Sequence, residues 1–158
     1  MSTRSLFFSP LIPVGVLAVL ATAVQAAEPR VIELTQAPCQ FLESENGVDH
    51  GYSSSEKADC EAINSKTAAE RLAKAKVLEL DPGSYVFRVS NLSVPYDLGF
   101  WVRGQGLGRV TLPSVSGGGL SLGATKDYPI ELKPGEYYYS CPLNPTPDYV
   151  LIVRDSAG

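Results

Sequence analysis

Histidine is almost absent from this chain: His50 is the only one, and Met1 and Trp101 are likewise single. One imidazole cannot supply a centre built from several histidines, and no Ser/His/Asp set has a frame around His50. His50 lies in a polar stretch with Glu43, Glu45 and Asp49, a mix that suits divalent metals. Its spacing matches no metal motif, so a solvated loop is the plainer reading. No pair of carboxylates is framed for acid–base work either, and the chain is expected not to be an enzyme. Basic residues are outnumbered, 13 Lys and Arg against 17 Asp and Glu, for a formal charge of -4. Without a basic stripe, nucleic acid is excluded as a partner, because phosphates are held by clustered Lys and Arg.

Long apolar runs are scarce as well. The main one, Leu11 to Leu20, falls short of the ~20 residues a bilayer demands. Preceded by Arg4 and followed by small residues up to Ala26-Ala27, it has the three parts of a secretory signal. The expectation is a signal peptide over residues 1–26 and a mature domain over 27–158, periplasmic or secreted, with no membrane span after cleavage. Loss of Arg4 leaves twelve basic against seventeen acidic residues, a net charge of -5. The 132 residues that remain suffice for one domain with a real core.

Cysteine is sparse and odd in number: Cys39, Cys60 and Cys141. In an oxidising compartment this reads as one bridge and one thiol, and three pairings are open. Cys39 with Cys60 closes a loop of about 20 residues, worth roughly 3 kcal/mol in the chain-entropy view, and leaves Cys141 available for chemistry. Cys39 with Cys141 is the next arrangement to consider.

What is plentiful is β-like alternation between Gly- and Pro-rich turns. Residues 30–42 read as one or two short strands, and residues 43–55 as an exposed loop. Ser53 and Glu56 have capping-box spacing, which predicts a helix over about 56–75; Thr67 with Glu70 leaves a second, shorter helix open. Further short strands are expected at Val77–Leu80, Tyr85–Val89, Leu98–Arg103, Val110–Leu112, Tyr128–Leu132, Glu136–Ser140 and Tyr149–Arg154, the spacing of a β-sandwich or barrel. Gly117-Gly118-Gly119 lacks the Lys and Ser/Thr of a phosphate loop and reads as a flexible or tightly turned β connection. Gly104 to Gly108 lacks the strand-to-helix setting of a dinucleotide site.

The segments LELDPGSYVFRVSN, VPYDLGFW and IELKPGEYYYSCPLNPTPDYVLIV together resemble the cupredoxins, more particularly their divergent periplasmic relatives. The resemblance covers about half the chain, from Lys76 to Val153. It implies a mainly β, cupredoxin-like Greek-key β-sandwich, here with a helical insertion, and copper handling or electron transfer with a periplasmic redox or metal-transport partner protein. Cys141 matches the copper thiolate. Tyr96 stands near the first histidine ligand, Asn144 replaces the second, and the axial position falls among Thr146, Asp148 and Tyr149. A blue-copper centre needs two imidazoles beside the thiolate, so any metal site here is non-standard, centred on Cys141 with Tyr96 and Asn144 as neighbours. His50, Glu43 and Glu45 join it only if the amino-terminal loop folds over the end of the sandwich.

Each feature has a structural reading beside the functional one. Cys141 can be a buried inert thiol, and Tyr96, Phe100 and Trp101 can line a pocket, form a docking patch or simply pack. Tyr137 to Tyr139 alternate along a strand, two facing one side. Asn144-Pro145-Thr146-Pro147 is stiffened by its prolines. The competing function is a metal-free sandwich that recognises a partner protein.

Overall fold

The computed structural model describes residues 28–155; the expected signal peptide over residues 1–26 lies outside the described residues. Among the described residues, nine strands form two sheets. β1 (Arg30–Ala37), β2 (Gln40–Phe41), β4 (Gly83–Asn91) and β7 (Thr125–Leu132) make one, in the order β2-β1-β4-β7. β3 (Leu78–Leu80), β5 (Leu98–Gly104), β6 (Val115–Leu120), β8 (Gly135–Ser140) and β9 (Tyr149–Val153) make the other, in the order β3-β9-β8-β5-β6. β1 runs parallel to β4 and β3 parallel to β9, and the remaining pairs are antiparallel. The chain changes sheet after β2, β3, β4, β6 and β7. The result is the fold class expected from the sequence, a mainly β two-sheet Greek-key sandwich with a helix inserted before β3.

Period-two patterning sets the core. Tyr85, Phe87 and Val89 of β4 point inward, as do Tyr128, Ile130 and Leu132 of β7 and Tyr137 and Tyr139 of β8. The two inner faces meet in an aromatic cluster, with Phe41 5.9 Å from both Phe100 and Tyr149 and Tyr139 5.5 Å from Tyr149 between ring centroids. Such rings bury much area and fix one another's orientation through edge and offset contacts.

Several local expectations change. The helix α1 (Lys57–Lys74) is one element. It is capped by Glu56 with Asp59, whose carboxylate accepts the Glu56 N–H at 3.2 Å. Ser53 is not the cap, and Thr67 bonds back to the Ile63 carbonyl at 3.0 Å, so it starts no second helix. Residues 43–55 are not wholly exposed: Ser44, Glu45 and Ser54 are buried, and Glu43–Glu45 forms a 3-10 turn. The expected strand at Val110–Leu112 is instead part of a one-turn helix, α2 (Gly108–Thr111). The glycine run is itself a strand, β6. Gly117 sits where a Cβ would meet Tyr128 Cε1 at 2.9 Å, so the ring beneath excludes any side chain there.

Candidate functional site around Cys141

Cys141 directly follows β8 and is the free cysteine of the described residues, 1% exposed, whereas Cys39 and Cys60 are joined in a disulfide. Its Sγ accepts the backbone N–H of Gly99 at 3.4 Å and of Asn144 at 3.2 Å. Two N–H dipoles favour a thiolate, but burial outweighs them and pushes the thiol up from its ordinary value. The group is therefore a protonated thiol at neutral pH unless a cation displaces the proton.

Asn144, where a histidine was looked for, is fully buried and its side chain is committed. Its Oδ1 accepts the Cys39 N–H at 2.9 Å and its Nδ2 donates to the Ala37 carbonyl at 3.1 Å. Oδ1 also touches Cys60 Sγ at 3.0 Å; a disulfide sulfur carries no proton, so this is a contact and not a hydrogen bond. The residue thus pins the loop after β8 to the β1–β2 turn, and helps hold Cys39 at a φ of 66°.

Tyr96 is half-buried. Ser54 Oγ donates to the Glu56 carbonyl at 3.0 Å, so Tyr96 Oη donates to Ser54 Oγ at 2.6 Å and lies 3.5 Å from Asn144 Oδ1. Burial raises its phenol above the ordinary value.

The possible axial residues are equally occupied. Thr146 Oγ1 accepts the Cys141 N–H at 3.0 Å, Asp148 pairs with Arg103 at 2.6 Å, and Tyr149 Oη donates to Glu45.

His50 is not brought to Cys141. Its Nε2 meets Glu45 Oε2 at 2.6 Å, and its ring stacks on Tyr52 at 5.3 Å. Glu45 also takes Arg71 Nη2 at 2.6 Å and Arg71 Nε at 2.9 and 3.1 Å. Burial alone would raise this carboxyl; the hydrogen bonds of Arg71 and Tyr149, the Arg71 charge and His50 outweigh it and hold the group below its usual range. Glu43 is spent elsewhere, on Thr35 N–H at 2.6 Å and Thr35 Oγ1 at 2.7 Å. The amino-terminal segment folds over the sandwich, but it builds a separate polar cluster. Among the described residues no group of three His, Cys, Asp or Glu side chains is arranged to hold a metal. An imidazole-based blue-copper centre does not fit these residues.

What the sequence did not reveal are two buried polar atoms with nothing to bond, carried by residues that interact with Cys141. Gln36 Oε1 and Tyr128 Oη are buried and unpartnered. The Gln36 side chain reaches Cys141 and donates from Nε2 to the Gly99 carbonyl at 2.9 Å, while Tyr128 lies within range of the charge at Cys141 and has its phenol raised by burial. An orphaned buried oxygen costs about 1–3 kcal/mol and calls for an explanation. One signal was available: Gln36 occupies an inward position of β1, two residues after buried Leu34.

No family model matches this chain, and no curated protein does. Among solved structures, a multi-copper oxidase from Pediococcus acidilactici aligns with a TM-score of 0.40 at 10% identity, over 94% of this chain and 31% of its own. Auracyanin B aligns with a TM-score of 0.40 at 12% identity, over 85% of this chain and 95% of its own. The chain thus spans about a third of the oxidase. Likeness at this level carries nothing about ligands or activity, and the fold class rests on the two sheets and their strand order.

Proposed function

We propose that this is an exported, non-enzymatic protein that holds one soft cation, copper(I), at the Cys141 thiolate, with Gln36 Oε1 and Tyr128 Oη as its oxygen neighbours. The observation that carries the reading is a free, buried thiol whose interacting residues Gln36 and Tyr128 each carry an orphaned buried oxygen. Thiolate suits copper(I), and metal binding displaces the thiol proton that burial otherwise retains. The role is metal handling or electron transfer with a periplasmic redox or metal-transport protein. A disulfide supports the oxidising compartment, and no helix among the described residues is long and apolar enough to cross a membrane.

The test is anaerobic competition for copper(I) against a chromophoric chelator. One equivalent is expected to be retained, lost in Cys141→Ala and weakened in Gln36→Leu and Tyr128→Phe. Failure of the wild-type chain to retain any copper removes the reading. The second reading, a metal-free recognition module, is favoured by one specific fact: Asn144, Tyr96 and His50 are all spent on structural bonds.

A further inference from the structure

β6 is an edge strand, paired with β5 on one side. Exposed edges are normally short, interrupted by proline or guarded by charge. The other edges here obey that rule: β2 has two residues, β3 has three, and β7 carries Lys126 and Pro129. β6 has six residues, VSGGGL, with neither charge nor proline, and Ser116 to Gly119 are all exposed.

Beside this edge, Gly99, Trp101, Ser116, Gly117, Gly118 and Leu143 help line a shallow apolar groove of about 410 Å³. Its floor is open because the glycines bring no side chains. A Cβ on Gly118 would reach Leu143 Cδ1 at 3.8 Å, an ordinary contact, so the position itself has room for a methyl group.

Two cations bracket the strand. Arg109 lies 5.2 Å above the Trp101 ring, and Trp101 is the cross-strand partner of Ser116. Lys126 Nζ sits on the Gly118 carbonyl at 2.8 Å. Arg103, on the same tryptophan, already has Asp148, but among the described residues neither Arg109 nor Lys126 has a carboxylate within ion-pairing distance. In an acidic chain this is a local positive field around a free strand edge.

We propose that β6 is a docking strand for an extended acidic peptide segment of a partner protein. The segment adds to the free edge by main-chain hydrogen bonds, sets one apolar side chain into the glycine-floored groove against Trp101 and Leu143, and meets Arg109 and Lys126 with its carboxylates. The inference is independent of any metal at Cys141.

A displayed library of random nine-residue peptides is panned on the full metal-free chain, and the strongest binder is titrated while the emission of Trp101, the sole tryptophan, is followed. Enrichment of Asp and Glu flanking an apolar residue is expected, with a saturable emission change. N-methylation at alternate peptide positions should abolish binding. Gly118→Ala, whose Cβ makes only ordinary contacts with Leu143 and the Leu98 carbonyl, and Arg109→Glu should each weaken it at least tenfold while leaving the thermal transition in place. A library that yields no binder, binders without acidic residues, or affinity indifferent to N-methylation and to both substitutions overturns the proposal.

Discussion

Two polar regions lie on either side of the Cys39–Cys60 bridge, and they are opposites. Around Glu45, every acceptor site is filled: Arg71, Tyr149 and His50 converge on one carboxylate, and the remaining Arg71 N–H groups go to Asn64, Thr67 and the Cys39 carbonyl. On Gln36 and Tyr128, which both interact with Cys141, two buried oxygens are left with nothing. A satisfied buried network holds the fold together, whereas an unsatisfied one costs stability and is retained where something else uses it. The difference locates the structural cluster at the amino-terminal segment and the candidate site at the thiol.

The comparison breaks most visibly through Arg71. Replacing it with Leu strands a buried carboxylate, and a loss of about 3–5 kcal/mol is expected in urea unfolding; a loss below 1 kcal/mol would mean that the cluster is not structural. Next is the bridge between the regions: Cys39→Ser with Cys60→Ser should cost about 3 kcal/mol, because the unfolded chain regains the freedom of that loop. Tyr149→Phe removes a hydrogen bond to a charged acceptor and should cost about 1.5–3 kcal/mol.

The two regions should also differ in pH response. Glu45 is held below its usual range, so its contribution is present above the unfolded carboxyl value and is lost as pH falls through the folded one. Cys141 is pushed upward, so its contribution is intact below the unfolded thiol value and is lost as pH rises through the folded one. Chemical denaturation across the range should show the acid limb altered in Arg71→Leu and the alkaline limb altered in Cys141→Ala. The smallest effect sharpens the contrast: Tyr128→Phe, which deletes an orphan hydroxyl, should leave stability within about 0.5 kcal/mol or raise it slightly. A cost near that of Tyr149→Phe would show that Tyr128 Oη has a partner after all.

Strand phases were readable wherever apolar residues alternate, as in Tyr85-Val86-Phe87-Arg88-Val89, because burial of one face imposes the period. The helix was readable from composition, though its cap was not: Ser53 and Asp59 both offer capping chemistry, and only the path of the chain selects Glu56 with Asp59. β6 was missed because glycines have no side chains to show alternation, and Val110–Leu112 was misread because three apolar residues fit a strand or a helical turn equally. His50 and Glu45 were singled out for their chemistry, yet Arg71, the main partner of Glu45, lies 26 residues beyond it, and local spacing cannot see across that distance.

Taken alone, the chain determined its fold class, its acidic balance and the scarcity of imidazole, since these follow from composition and from periods of two and 3.6 residues. Tertiary structure alone decided which cysteine stays free, which carboxylate is saturated, and that Gln36 Oε1 and Tyr128 Oη are buried without partners. Those are matters of three-dimensional neighbourhood: a polar group's energy depends on what reaches it once water has been excluded.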